Sequence, residues 1–194
     1  ATETGILRAL KSMKAQMQPG SGDLAVIHFS GHGALVDGQL FLLPHDIDAS
    51  DSIGIKAGGI EVGDLKGELI GLAERGRVLV LLDACHSGAT TNDGTELAVD
   101  ARLLRSELAM GNVTVLTSSS GTETSREDQK WANGAFTEAL LEALGRAADR
   151  NRNSLVSMDE LTGYISTRVP QLTKGKQTPG IEMRFSETVF AAGL

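Results

Sequence analysis

Apolar positions recur along this chain in two rhythms. Ile6, Leu7, Leu10, Met13 and Met17 return at helical spacing, so residues 3–17 read as an amphipathic helix. Pro19-Gly20-Ser21-Gly22 ends it. Leu24-Ala25-Val26-Ile27-His28-Phe29 reads as a buried strand, and Leu40-Phe41-Leu42-Leu43, closed by Pro44, as a short second one. Residues 45–59 are polar and glycine-rich and read as a loop. Val62, Leu65, Leu69, Ile70 and Leu72 predict a helix over 61–75. The strongest strand signal is Arg77-Val78-Leu79-Val80-Leu81-Leu82. Beyond it the pattern predicts a helix over 97–109, a strand over 113–117 and a Ser/Thr/Gly/Glu loop over 118–130. Helices over 134–148 and 157–168 follow, then a last strand from Ile181 to Phe190.

Continuous apolar runs suit strands covered on both faces. Their alternation with helices predicts an open, mostly parallel α/β sheet flanked by helices on both faces. A chain of 194 residues is one domain's worth, read as a single unit over 1–194. It can bury a core without covalent staples. Hydrophobic residues at 41% exclude a disordered chain. The longest purely apolar run, Val78 through Leu82, is too short to span a bilayer, so no membrane partner is expected. The net charge is −7 and no basic tract is interleaved with aromatics, so nucleic acid is not an expected partner. One cysteine excludes an internal disulfide and a multi-cysteine zinc site. No signal peptide is visible; with a single thiol, a cytoplasmic location is the expectation.

That cysteine changes the picture. The first strand leads into Ser30-Gly31-His32-Gly33, and the long strand into Asp83-Ala84-Cys85-His86-Ser87-Gly88. In open α/β sheets ligands bind outside the carboxyl ends of strands. If these two strands are neighbours, His32 and Cys85 face one crevice. A thiol needs a base to become a thiolate at neutral pH, and histidine is the usual one. Glycines beside His32 let backbone N–H groups approach a developing oxyanion. Taken singly, a lone cysteine after a strand is ordinarily buried packing and a histidine beside glycine a loop residue. Their joint placement favours a Cys–His hydrolase, which needs no cofactor for its chemistry. His28 and His32 also invite a zinc reading, but Gly31 and Gly33 argue against a helix that would put both on one face.

His28-Phe29-Ser30-Gly31-His32-Gly33 followed by Leu81-Leu82-Asp83-Ala84-Cys85-His86-Ser87-Gly88 resembles the caspase-like cysteine peptidases, more closely the metacaspase/orthocaspase branch of bacterial type. The separation of histidine and cysteine, about 50 residues, agrees with the caspase pattern. Thr117-Ser118-Ser119-Ser120-Gly121 and the stretch from Gly134 to Leu144 resemble the small-subunit region of bacterial members. The resemblance implies a large-subunit region over about 1–95, a small-subunit region over about 111–194, and a processing linker over 96–110. It implies Cys85 as nucleophile, His32 as general base, and the N–H groups of Gly33 and Cys85 as oxyanion hole. Asp83 and Ser30 match residues of the primary specificity pocket. True caspases carry Gln at the Asp83 position and cut after Asp. An acidic wall implies a peptide or protein substrate with Arg or Lys before the scissile bond. Arg102 and Arg105 in the linker suit self-processing, or else solvate a helix face.

Family members also carry a strand and helix ahead of the position of Ala1, and that strand lies inside their sheet. A separate N-terminal segment or regulatory domain is therefore an expected partner. A catalytically silent interaction domain, or a fragment needing that segment, is the alternative function.

Calcium activation, common in metacaspases, points to Asp46, Asp48, Asp64 and Asp93, which also read as solvated loop carboxylates. Asp149, Asn151, Asn153 and Glu160 follow EF-hand spacing, although Ser154 stands where the turn glycine would be and Arg150 and Arg152 add positive charge. A helix connector with EF-like spacing is the competing reading of that loop.

Overall fold

The computed structural model describes residues 1–85, 89–121, 133–187 and 189–191; for residues 84, 85, 89 and 189–191 only the backbone is described. Its centre is a six-stranded sheet in the order β3-β2-β1-β4-β7-β9. The strands are β1 (Leu24–Val36), β2 (Gln39–Leu43), β3 (Ile60–Glu61), β4 (Arg77–Cys85), β7 (Val113–Thr117) and β9 (Gly180–Glu182). β1, β4 and β7 run parallel, and β2, β3 and β9 pair antiparallel at the margins. Two small two-stranded antiparallel sheets complete the strands: β5 (Ala89–Thr90) with β6 (Glu96–Leu97), and β8 (Leu155–Ser157) with β10 (Val189–Ala191).

The apolar run of β4 explains the layering. Val78, Val80 and Leu82 face a core shared with α1 (Glu3–Gln16), α3 (Val62–Ala73) and α4 (Ala101–Leu108). Leu79 and Leu81 face the opposite core, built from Phe136 and Leu140 of α5 (Ala135–Glu142) and Leu161, Ile165 and Val169 of α6 (Met158–Thr173). Alternating side chains of one strand thus enter two helix layers. A third cluster (Ala34, Val36, Phe41, Leu43, Ile55) packs the β1–β2 hairpin against α2 (Ser52–Gly58). Among the described residues no helix is long and apolar enough to cross a membrane.

The expected α/β architecture is present, with local departures. β1 does not end at Phe29 but runs to Val36, because residues 32–36 pair antiparallel with β2. The loop over 45–59 contains α2, whose first turn is capped when the Asp51 carboxylate accepts from the Gly54 N–H at 2.8 Å. The helix over 134–148 breaks at Gly145 and Arg146, where φ reaches 82° at Arg146. The last strand divides: β9 joins the main sheet and β10 pairs with β8 instead. The expected loop over 118–130 lies outside the described residues from 122 onward.

The second helix layer covers β4 and β7 but stops short of β1, where Val26 is 42% exposed and His28, Ser30 and His32 are exposed as well. Residues 24–31 of β1 pair with β4 on one side only; among the described residues no strand pairs with their other edge.

Two polar devices hold the loops at the carboxyl end of the sheet. Asp93, between β5 and β6, accepts from the Ser52 N–H at 2.9 Å and from the hydroxyls of Thr91 and Thr95, pinning that hairpin to the start of α2. Arg105 of α4 passes beneath β9 and donates to the Thr117 hydroxyl at 2.5 Å and to the carbonyls of Ser119 (3.1 Å) and Ser120 (2.9 Å). A methyl group at Gly180 would overlap that guanidinium.

Three outcomes follow from this packing. Leu69 is fully buried, so Leu69→Ala is expected to cost about 2–5 kcal/mol in urea unfolding. Ile53, 75% exposed, should tolerate alanine to within about 0.5 kcal/mol. Arg105→Ala removes one donor shared by three oxygens, and the same assay should show a loss of about 1–3 kcal/mol. Hydrogen bonds from Ser52, then from Thr91, hold the Asp93 carboxyl well below its ordinary 3.8. A depressed folded value means the junction is stabilised above the ordinary value and loosens as the carboxylate is protonated below it. The protection factor of the Ser52 amide should therefore fall on acidification below pH 3.8, and Asp93→Asn should lower it throughout while flattening that dependence.

Candidate active site

The β1–β4 ladder pairs Leu24 with Arg77 at one end and His32 with Cys85 at the other. Neighbouring strands lie about 4.8 Å apart, so the two backbones that carry the sequence's strongest chemical signals are adjacent at the carboxyl end of β4. Two residues back in the same register, Ser30 pairs with Asp83. Ser30, His32, Asp83 and Cys85 therefore fall on one two-strand segment. His86, Ser87 and Gly88, the rest of the cysteine motif, lie outside the described residues.

His32 was expected past the end of a strand; it sits inside one. Gly33 explains how the chain passes this crowded point. A Cβ there would come within 2.5 Å of Val99 Cγ2 and 3.1 Å of the Phe41 carbonyl. The glycine lets the segment after β6 close over β1 beside His32. A cavity of about 570 Å³ opens along the unpaired edge of β1, lined by His28, Ser30 and His32 together with Ile6, Leu43 and Pro44. Its walls are mainly apolar, with histidines and a serine on one side. Asp83 does not line it.

Asp83 is only 5% exposed. The Thr137 hydroxyl of α5 donates to its Oδ2 at 2.9 Å. A buried carboxylate is costly unless hydrogen-bonded, so this donor is part of the site's construction. Sequence reading did not single out Thr137. The only available signal was its place in the Gly134-Ala135-Phe136-Thr137 stretch at a helix start.

Other candidates separate from this segment. His28 and His32 lie on one strand four residues apart, about 13 Å at strand rise, too far to share one metal ion. Asp48 accepts from the Ser50 N–H at 3.0 Å and Asp93 serves its hairpin junction, while Asp64 lies in the first turn of α3 and Asp46 is exposed. Among the described residues no three His, Cys, Asp or Glu side chains are grouped to hold a metal, so the four aspartates do not form the acidic cluster expected of them.

The 149–160 loop uses its oxygens on itself. Asp149 accepts from the N–H groups of Asn153 and Ser154, Asn151 from Asn153, and Asn153 from Leu155. Glu160 accepts from the N–H groups of Arg150, Asn151 and Ser157 and closes a capping box with Ser157 at the start of α6. These bonds, the one from the Ser157 N–H foremost, lower the Glu160 carboxyl below its ordinary range. Ser154 adopts φ 66°, the left-handed backbone a turn glycine would take at no steric cost. As built, the loop fits a helix connector whose oxygens are turned to its own amides.

Arg102 and Arg105 both lie in α4, whose buried face is formed by Ala101, Leu104 and Leu108. Arg102 is paired with Asp100 at 2.7 Å, and Arg105 is held by the carbonyls described above. A peptidase takes its substrate extended, so cutting at either residue requires α4 to unwind first.

The family model Peptidase_C14, the caspase domain, matches residues 1–190. No curated protein matches the chain. Among solved structures, that of protein GSU0716 from Geobacter sulfurreducens superposes with a TM-score of 0.63 at 20% identity, covering 96% of this chain and 74% of that one. At that identity the likeness speaks for the fold alone. The family match, spanning nearly the whole chain, decides the matter: this protein belongs to the caspase-domain peptidase family.

Proposed function

We propose that the chain is a cysteine endopeptidase of metacaspase/orthocaspase type that cleaves after Arg or Lys, with Cys85 as nucleophile and His32 as general base. The observation that carries this reading is the register pair His32–Cys85 at the carboxyl end of β4. His32 takes the thiol proton, and the Cys85 thiolate attacks the scissile carbonyl. The oxyanion that forms is held by backbone N–H groups, assigned here to Gly33 and Cys85. As the tetrahedral intermediate collapses, His32 returns the proton to the leaving amine and an acyl-enzyme remains. Water, deprotonated by His32, then releases the acid and restores the thiol. Asp83 supplies the negative charge that selects a basic side chain, and Ser30, its ladder partner, flanks it. Charge sets the preference: an Asp side chain before the scissile bond would meet a buried carboxylate, which costs several kcal/mol in discrimination. Self-processing at Arg102 or Arg105 belongs to this reading through an unwound α4, and calcium enters it as an activator to be tested.

One observation favours a second component. The unpaired edge at residues 24–31 and the cavity beside it fit an added extended segment, from a separate chain or from the same polypeptide. Such a segment, rather than catalysis, would be the protein's business if it is an interaction domain.

The test is hydrolysis of paired fluorogenic peptides with Arg or Asp before the scissile bond, with and without millimolar calcium. Arg-selective turnover is expected, falling at least about 10³-fold in Cys85→Ala and about 10²–10⁴-fold in His32→Ala. Turnover that survives Cys85→Ala would overturn the mechanism. A wild-type chain that stays silent even with an edge-filling N-terminal segment supplied would favour the interaction domain.

A further inference from the structure

We infer that Thr137 is a positioning residue for specificity, aiming the Asp83 carboxylate at the cationic side chain of the substrate. The inference rests on the reading of Asp83 as the acidic wall of the substrate pocket. Its own ground is the contact between Thr137 Oγ1 and Asp83 Oδ2, 2.9 Å across the boundary between β4 and α5.

Three features make this contact more than the filling of a buried lone pair. First, the donor is rigidly mounted. Thr137 is flanked by Phe136, fully buried, and by Ala139 and Leu140 in the same core, so α5 cannot slide without disturbing its packing. A β-branched side chain on a helix also has few rotamers, so its hydroxyl has few directions in which to point. Second, the donor is neutral. A lysine or arginine at this position would fix Asp83 equally well but cancel the charge that reads the substrate. A hydroxyl fixes the carboxylate and leaves its charge in place. Third, the contact joins the two halves of the chain. Asp83 belongs to the strand that carries Cys85, whereas Thr137 opens the helix after the 122–132 segment. The direction of the acidic group is therefore set by the docking of α5 on the sheet, and not by β4 alone.

Aiming matters because a guanidinium binds a carboxylate through a fixed planar fork. A carboxylate free to turn about its side-chain torsions must be ordered at each binding event. A hydroxyl that orders it beforehand removes that cost from the Arg substrate and does nothing for an uncharged one. The signature is a loss of charge selectivity rather than a general loss of activity.

The experiment compares the full chain with Thr137→Val, which keeps shape and removes the donor, and Thr137→Ser, which keeps the donor. Each is given matched peptides carrying Arg or citrulline before the scissile bond. The Arg-to-citrulline ratio of kcat/KM is expected to drop about tenfold in Thr137→Val, chiefly through KM for the Arg peptide, and to return to within about threefold of wild type in Thr137→Ser. The same three proteins are titrated with benzamidine and its neutral analogue benzamide, a reading of charge selectivity that requires no turnover. Thermal unfolding of each checks that the comparison is made between folded chains. A Thr137→Val protein that keeps the wild-type ratio, or that loses Arg and citrulline turnover in parallel, overturns the inference while leaving the peptidase reading intact. A wild-type chain that favours neither Arg over citrulline nor benzamidine over benzamide overturns the assignment of Asp83 itself, and this inference with it.

Discussion

Nine residues of β4, Arg77 to Cys85, pair in one unbroken parallel register with β1, and every element of the candidate site inherits its position from that ladder. The register is fixed by burial rather than by the site. Val78, Val80 and Leu82 fill one core, and Leu79 and Leu81 the other. A slip of one residue would exchange the two sets and leave neither core packed. The side chains that hold the ladder therefore lie upstream of the residues that perform chemistry. Stability is concentrated at the amino-terminal two thirds of β4, upstream of the positions of Asp83 and Cys85.

That separation has a limit at Asp83. It lies in line with Leu79 and Leu81 along the strand but carries a carboxylate into a nearly closed position. The core must offer it a donor, and α5 does so through Thr137. The same helix supplies Phe136 and Leu140 to the apolar core. Docking α5 on the sheet is then both a hydrophobic event and an electrostatic one, and substitutions that loosen the first should reach the second.

Much of this could be read from the chain. The run Val78–Leu82 marks the central strand because a strand covered on both faces is apolar at successive positions. His32 and Cys85 stood out because each follows such a run, and the ladder does bring their backbones together. What could not be read depended on partners distant in sequence. The apolar run of the first strand stops at Phe29, yet β2 pairs beyond it and carries β1 on to Val36. The segment 181–190 held one apolar pattern, but its two ends find different partner strands. Arg105 looked like an exposed linker arginine, and only the approach of β9, made possible by Gly180, reveals it as a clasp. Asp149, Asn151, Asn153 and Glu160 have ligand spacing, and spacing alone does not say whether the oxygens turn to an ion or to the loop's own amides.

The two strands of the site differ in how they are supported, and the difference bears on function. β4 is covered on both faces and paired on both edges by β1 and β7. β1 is covered on one face, exposed along Val26, His28, Ser30 and His32, and paired on one edge over residues 24–31. Exposed strand edges are surfaces that proteins ordinarily cover or blunt, because unpaired N–H and C=O groups recruit other strands. Here the edge is neither charged nor short, and an apolar cavity runs beside it. The strand bearing the general-base candidate is thus the less constrained of the two over residues 24–31, whereas His32 itself is held between Cys85 on one side and Leu43 on the other. The β1–β2 pairing that carries the chain past Gly33 therefore sets the backbone at His32, and the open edge before it is a separate surface for an added extended segment.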